Sequence, residues 1–385
     1  MKKKLFYATA IAAGIVITAA SCSSDDKNDE HQTDAIELDY TKENAASLHN
    51  YMKNVAKLLR EDASNLYTYW AESYDGKEAY CTTFVNHNAP FTSALSCVEQ
   101  IIDGCYDIAN EVGVAKIKDP YDLYISGKTT EGLYAVESWY SWHSRTDYSN
   151  NILSIRNAYY GSRNGSIAEQ SLSKLVAGKD AELDARTKAA IIKAYNAILA
   201  IPQPFRNNIV CSESVAAMTA CNELANLLDN ELKPFFTNNT DINGNAVLEP
   251  VVKNYVEAVV LPTYKDLKAK TIELEQAITT LTSNPTNDNF KAACNKWLEA
   301  REPWETSEAF LFGPVADNGL DPNMDSWPLD QEGIANLLKS GKWDELEWSG
   351  EFDEDNEGIA TAQSLRGFHT LEYLLFKNGQ ARTIQ

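Results

Sequence analysis

The chain has 385 residues, of which 44% are hydrophobic, and this length allows two domains that each bury a core of their own. Its formal net charge of −21 argues against nucleic-acid binding, because so acidic a chain is repelled by phosphate backbones and no basic stripe offsets the balance. The acidity predicts a soluble, monomeric surface.

The beginning of the chain resembles a bacterial lipoprotein signal. Lys2–Lys4 form a positive n-region, residues 5–20 are apolar, and small residues lead into Cys22. Residues 1–21 are therefore predicted to be a signal peptide, and Cys22 the lipidated first residue of the mature protein. A simple membrane-spanning anchor is disfavoured, since a span needs roughly 20 apolar residues and this stretch is shorter.

Residues 22–35 are polar, lack hydrophobic periodicity and are predicted to form a flexible tether. Cys22 is followed by serine and aspartate, which resembles an export signal of surface lipoproteins. The expected location is the cell envelope, with the lipid on Cys22 in the outer membrane and the protein facing the periplasm or exposed at the surface.

Amphipathic helices follow along the chain. Apolar residues recur every three, four or seven positions from Leu48 to Trp70. No comparable stretch alternates with period two, so the sequence predicts an all-α protein. The same helical pattern returns over residues 95–112, 185–201, 215–232, 251–281 and 290–312.

The longest polar, Gly-rich and Asn-rich interruption is Asn238–Asn245. A domain boundary is expected there, which gives helical domains of residues 36–240 and 246–385. Pro262 lies inside an otherwise helical pattern and is predicted to kink or split that helix.

The main chemical signal is the segment from Gly367 to Glu372, in an apolar run that reads as a buried helix. His369 and Glu372 are three residues apart and would therefore share one helix face. Gly367 would let another backbone come close. An imidazole and a carboxylate on one face form half of a metal site or polar-ligand site. The alternative is a core histidine that is hydrogen-bonded to Glu372 or to a backbone carbonyl.

Three blocks, taken together, resemble the imelysin family of bacterial envelope proteins. They are the segment 301–314 (Arg-Glu-Pro-Trp-Glu-Thr-Ser-Glu to Phe-Gly-Pro), the segment 325–330 (Asp-Ser-Trp-Pro-Leu-Asp) and the motif 367–372 (Gly-Phe-His-Thr-Leu-Glu). In most imelysins the chain continues beyond this motif, whereas here the corresponding material resembles the upstream segments 150–161 and 201–205. The sequence therefore resembles a circularly permuted imelysin whose last third comes first.

The resemblance implies two helical bundle-like domains, a functional site near their junction and a link to iron acquisition. In that site His369 and Glu372 would bind a metal ion directly, with Glu308 or Asp325 completing the shell. Imidazole and carboxylate ligands suit iron or zinc. Either Glu305 or Glu308 is expected to face inward from one helix, and Glu308 is favoured.

Three further residues near these blocks are candidates for the site. Arg366 would either neutralise Glu372 or point to solvent. Trp304 and Trp327 could belong to a ligand site or serve as packing anchors.

Three functions remain open from the sequence. The first is an envelope protein that captures a metal ion, iron favoured, as part of iron uptake. The second is a zinc metallopeptidase, although the chain has no HExxH motif, and Tyr373 stands where an HxxEH motif needs its second histidine. The third is a structural lock, in which the His369–Glu372 pair joins two domains and the surface serves a protein partner.

Overall fold

The computed structural model describes residues 38–384. The predicted signal peptide, Cys22 and the predicted tether lie outside the described residues. Within residues 38–384, no helix combines the length and the apolar character that a bilayer crossing needs.

Helices make up nearly all of the regular structure, which confirms the predicted all-α class. Two short hairpins, β1 (Ser73–Tyr74) with β2 (Lys77–Glu78) and β3 (Phe376–Lys377) with β4 (Gln380–Ala381), are the strands of the described part. The α-helices are α1 (Ala45–Ala71), α2 (Tyr80–Val85), α3 (Ala94–Glu111), α4 (Asp119–Ile125), α5 (Thr129–Tyr134), α6 (Ser144–Tyr160), α7 (Leu172–Lys179), α8 (Ala181–Ala200), α9 (Ser212–Leu227), α10 (Lys233–Asn238), α11 (Asn245–Tyr255), α12 (Leu261–Ser283), α13 (Asn287–Glu305), α14 (Pro314–Asp317), α15 (Leu320–Asp325), α16 (Gln331–Ser340), α17 (Glu357–Ser364) and α18 (Phe368–Leu375).

Tighter and wider helical turns join several of these helices. Turns of the 3-10 type cover Phe205–Asn207, Glu308–Phe310 and Trp343–Leu346. Segments of π-helix cover Val112–Lys118 after α3, Leu228–Leu232 after α9 and Val256–Val260 after α11. Each π segment carries one extra residue per turn and so changes which face the following side chains occupy.

The long helices form two bundles. In the first bundle α3 packs on α6 and α9, and α8 packs on the same two helices. In the second bundle α12 packs on α1 and α13, and α18 packs on the same two helices. Although α1 belongs to the sequence before Asn238, it lies with helices from the end of the chain, so the two bundles are not the two halves of the sequence.

Each bundle is held by buried apolar faces of the kind that the sequence indicates. In α1 the fully buried positions include Leu48, Met52, Val55 and Leu59, which recur every three or four residues along one face. At the far end of that face, Trp70 contacts several aromatic rings of neighbouring elements.

The structure differs from the predicted helix 290–312 in one respect that bears on the site. The helix α13 begins at a Thr286 cap and ends at Glu305, and Glu308 lies in a separate 3-10 turn. Both glutamates are buried, whereas the sequence interpretation placed them on one helix with a single inward carboxylate. Because the α-helix ends between the two residues, Glu305 and Glu308 are not restricted to the faces of one helix, and both side chains are buried. Pro262 occupies the first turn of α12, directly after a π segment.

Candidate functional site

The candidate site lies where α6 of the first bundle meets α13 of the second. The end of α13, the 3-10 turn after it, α15 and α18 surround this contact on one side. On the other side are α6, the loop before it and the π segment after α3. The charged or titratable side chains that meet there are Lys116, Glu137, Asp147, Arg301, Glu305, Glu308, Asp325, His369 and Glu372.

Gly367 sets the close approach between α15 and α18. Its φ of 92° belongs to a region that glycine adopts freely and other residues do not. A Cβ at this position would lie 2.4 Å from the carbonyl oxygen of Met324. The missing side chain therefore lets α15 lie against the start of α18, which places Asp325 beside His369.

The His369–Glu372 pair is buried and oriented. His369 Nδ1 is 3.0 Å from Glu372 Oε2, and the backbone N–H of Ser141 donates to Glu372 Oε1 at 2.7 Å. His369 is 2% exposed and Glu372 is 1% exposed. A carboxylate on Nδ1 fixes the ring and leaves Nε2 for another partner, which is the usual arrangement of a metal-binding histidine.

The Nε2 side of His369 faces two carboxylates. Nε2 is 3.0 Å from Asp325 Oδ1 and 3.4 Å from Glu137 Oε1. Burial alone would lower the pKa of His369, but the Asp325 carboxylate outweighs burial and raises it well above its usual value. In the metal-free protein this imidazole is therefore protonated at neutral pH.

Arg301 is the central cation of the site. Its guanidinium is completely buried and lies 2.6 Å from carboxylate oxygens of both Glu137 and Glu305. It also donates to Asp325 and lies 3.3 Å from Asp147. A guanidinium has five N–H donors in one plane, so a single arginine can contact several carboxylates at once.

Lys116 is the second permanent cation of the site, and it comes from the first bundle. It is 2% exposed, and its Nζ lies 3.0 Å from Glu137 Oε2. Burial raises the pKa of Glu137, but Lys116 and the neighbouring His369 and Arg301 outweigh burial and lower it to about 2. Glu137 therefore stays ionised and is held from two sides.

Carboxyl groups outnumber cations in this buried cluster. Six buried carboxyl side chains face Lys116, Arg301 and His369. Burial raises the pKa of Glu305 and Glu308 well above the usual value for glutamate, and it outweighs the opposing effects of Arg301 on Glu305 and of Lys116 on Glu308. The metal-free site therefore stores protons on carboxyl groups that a bound cation would ionise.

Two sets of three potential ligand atoms lie within the cluster, and they share one residue. One oxygen each of Glu137 and Asp325 and a ring nitrogen of His369 lie within 4.8 Å of one another. One oxygen each of Glu305, Glu308 and Asp325 do the same. The first set combines imidazole with carboxylate, and the second contains oxygen alone.

A small cavity adjoins the first set. His369 and Glu372 are among the residues that line it, and its volume is about 20 Å³, which is room for one water molecule. Half of the eight remaining lining residues are aromatic: Tyr134, Val136, Ser138, Trp139, Tyr140, Trp327, Leu329 and Gln331.

The structure brings together His369, Glu372, Asp325 and Glu308, the four residues proposed from the sequence as metal ligands. Glu372 contacts the Nδ1 side of His369, so it is placed to orient the ring.

The other candidates from the sequence have distinct positions. Trp304 is fully buried and donates from Nε1 to Asp325 Oδ2 at 2.6 Å. Trp327 lines the cavity. Arg366 neither neutralises Glu372 nor points to solvent: it is 4% exposed and donates to Asp62 Oδ2 at 3.2 Å and to the Leu346 carbonyl.

Sequence reasoning missed Glu137, Asp147, Lys116 and Arg301 as site residues. Lys116 had a detectable signal, because it lies in an apolar run between Val112 and Ile117. Arg301 stands within the block 301–314 but was not singled out. Glu137 and Asp147 belong to no motif that the sequence shows, and neither lies in one of the helical stretches that the sequence predicts.

Comparisons with known proteins agree with this architecture. The family model described as Imelysin matches residues 24–231 and 260–385. A crystal structure of an imelysin peptidase from Bacteroides ovatus is similar, with 59% identity and a TM-score of 0.90, over 91% of this chain and 100% of that chain. A region of 130 residues is 36% identical to Iron-regulated protein A of Synechococcus elongatus; the match spans 34% of this chain and 32% of that protein.

Proposed function

The chain belongs to the imelysin family, and from that premise we propose that it binds a metal ion, iron in preference, at the junction of its two bundles. The proposed ligands are His369 Nε2, Asp325 and Glu137. The observation that carries the proposal is the contact of His369 Nδ1 with Glu372 at 3.0 Å, which leaves Nε2 facing two carboxylates.

The ligand chemistry supports iron as the favoured ion. Imidazole and carboxylate together suit iron, zinc and manganese, whereas thiolates would favour softer ions. The six cysteines of the described part are free and none belongs to the two ligand sets. One relative is named Iron-regulated protein A, which favours iron over zinc for this chain.

Arg301 and the protonated His369 act as placeholders in the metal-free protein. They neutralise Asp325 and Glu137, so the buried carboxylates are tolerated before an ion arrives. Binding of the ion requires the loss of the proton on His369 Nε2, and Glu372 stabilises the ring through Nδ1. The site is thus prepared for an exchange of protons for a metal cation.

The size of the cavity favours an ion over a peptide as the bound species. Sites for small organic ligands typically enclose about 300–1,000 Å³. The cavity beside His369 is about 20 Å³, which suits water or a small ion. A zinc peptidase would need room for a peptide bond next to the ion, so the peptidase alternative is the weaker one.

Calorimetric titration of the purified protein with ferrous ion under anaerobic conditions, ferric nitrilotriacetate and zinc ion tests the proposal. The unaltered protein should bind iron at micromolar concentration or tighter, which corresponds to about 8 kcal/mol or more. His369→Ala should abolish the binding of ferrous and zinc ions. His87→Ala is the matched control, because His87 contacts Glu249 outside the cluster. The proposal fails if the unaltered protein binds none of the three ions, or if His369→Ala binds them equally well.

We further propose that the protein is anchored to the outer membrane through a lipid on Cys22 and serves as a monomeric component of iron uptake in the cell envelope. The lipoprotein-like signal of residues 1–21 supports the anchor. Labelling of cells with radioactive palmitate should mark the protein, and Cys22→Ala should remove the label and release the protein from the membrane fraction. Retention of both in Cys22→Ala would refute the anchor.

A further inference from the structure

The oxygen-only ligand set lies at the junction of α13 with the 3-10 turn that follows it. Glu305 is the last residue of α13, Glu308 is the first residue of the turn, and Asp325 is the last residue of α15. Their nearest oxygens lie within 4.8 Å of one another. Three carboxylates at this separation can surround one cation.

Glu308 independently points to a cation as the partner of these carboxylates. It is 8% exposed, and within residues 38–384 no hydrogen bond and no ion pair within 4 Å reaches its carboxylate. Lys116 acts on it at longer range, but the ammonium contacts Glu137 at 3.0 Å. A buried carboxylate without a donor is costly, so such a group in a folded protein indicates a ligand or a retained proton.

The backbone holds Glu308 in this position. The N–H of Ala309 donates to Ser154 Oγ at 3.1 Å, which fixes the turn to α6. On the other side the carbonyl of Ala309 lies against Gly104 of α3, where an added Cβ would come within 2.2 Å of it. The backbone of the turn is thus held between two helices of the first bundle, which fixes the position from which the Glu308 side chain extends.

The other two carboxylates retain acceptor capacity for the same cation. Glu305 contacts Arg301 through Oε1 at 2.6 Å and accepts from Asn151 through Oε2 at 2.6 Å. Asp325 accepts from Trp304 through Oδ2. Each carboxylate oxygen has two lone pairs, so these contacts leave acceptor positions free.

We infer that Glu305, Glu308 and Asp325 form a second cation site, bridged to the His369 site through Asp325. Oxygen ligands without nitrogen or sulfur select hard cations such as Mn²⁺, Ca²⁺ or Fe³⁺. The inference deepens the proposed function and rests on it for the bridging role of Asp325. The cluster has six buried carboxyl groups but only two permanent cations, so two bound ions would neutralise more of the negative charge than one ion could.

Equilibrium dialysis of the full-length protein against Mn²⁺, with metal analysis, measures how many ions are bound per chain. Tb³⁺ luminescence on excitation of tryptophan adds a local signal, since the Trp304 indole nitrogen is 2.6 Å from Asp325 Oδ2. Glu308→Gln keeps the shape of the side chain and removes its charge. Glu302→Gln is the matched control, because Glu302 lies exposed on α13.

The unaltered protein and Glu302→Gln should each bind two Mn²⁺ ions and show Tb³⁺ emission. Glu308→Gln should bind one Mn²⁺, and its Tb³⁺ affinity should be about tenfold lower or worse. The thermal stability of the metal-free protein should be unchanged or higher, because the substitution breaks no hydrogen bond or ion pair of the Glu308 carboxyl group. His369→Ala should also bind one Mn²⁺, and the double variant none.

Other outcomes separate the two proposals. If Glu308→Gln still binds two ions, the second site is overturned and the proposed function stands. The same holds if the unaltered protein binds one ion and only His369→Ala removes it. One ion that only Glu308→Gln removes would support the oxygen site and contradict the histidine site. Loss of thermal stability in metal-free Glu308→Gln with unchanged metal binding would make Glu308 a structural residue and overturn the inference.

Discussion

Gly367→Ala should destabilise the folded protein by about 2–6 kcal/mol. The φ of 92° and ψ of −167° lie in a region that is nearly exclusive to glycine, and forcing alanine into it costs about 1–3 kcal/mol. The added Cβ would also lie 2.4 Å from the Met324 carbonyl oxygen. Overpacking against a backbone that must move adds about 1–3 kcal/mol.

Gly76→Ala is the matched control for this change. Gly76 lies in the turn between β1 and β2 with a φ of 68°, and no heavy atom lies within 4 Å of its added Cβ. Gly76→Ala should lower the free energy of unfolding only through the unfavourable backbone conformation, by about 1–2 kcal/mol. Urea unfolding, followed in parallel by tryptophan fluorescence and circular dichroism, gives the free energies of unfolding where the two transitions coincide.

The same variant should lose metal affinity, because α15 must move away from α18 and carry Asp325 from His369. Gly76→Ala should bind metal like the unaltered protein. The reasoning is refuted if Gly367→Ala costs no more than Gly76→Ala. It is also refuted if Gly367→Ala is destabilised as expected but retains full metal affinity, since the glycine would then not set the position of Asp325.

Three further predictions follow from single side chains. Glu372→Gln keeps an acceptor for the Ser141 N–H but removes the anion on His369 Nδ1, so iron affinity should fall about 10–100-fold by calorimetry; equal affinity would contradict the orienting role. Burial raises the pKa of Asp62 from 3.8 to about 6, so between these pH values the folded state keeps a proton that the unfolded state has lost. The free energy of unfolding therefore falls as the pH rises through this range and then levels off. The stability of the unaltered protein relative to Asp62→Asn should therefore drop by about 3 kcal/mol from pH 3.5 to pH 7 in urea titrations, whereas a flat difference would contradict the raised pKa. Gly178→Ala should raise the free energy of unfolding by about 0.5–1 kcal/mol, because α7 has open space there, and a decrease in the melting temperature would argue against that packing.

Local spacing was sufficient to predict one part of the site. His369 and Glu372 are three residues apart on a helix, and such neighbours meet regardless of the remaining fold. Gly367 was expected to allow a close backbone approach, and Met324 provides it. Which ring nitrogen Glu372 contacts depends on side-chain rotamers, and the spacing alone does not determine it.

The remaining part of the site depends on tertiary contacts that one sequence does not display. Glu137 and Lys116 reach the centre from the first bundle and meet Arg301 from the second. The buried side of α6 carries polar residues such as Asp147 and Asn151 as well as apolar ones such as Ile152, and this mixture weakens its hydrophobic periodicity. Hydrophobic periodicity therefore locates helices that face an apolar core and overlooks a helix that faces a polar site.

The π segment of Val112–Lys118 makes the electrostatics of the junction depend on chain length. A π turn arises where a helix carries one residue more than its α-helical pitch accommodates, so removal of one residue upstream of Lys116 would restore the regular pitch. The side chain of Lys116 would then rotate by about 100° around the helix axis, away from Glu137. A single-residue deletion, with no change in any charged side chain, would thus remove one of the two permanent cations from the cluster and leave its carboxylates to Arg301 and to any bound metal.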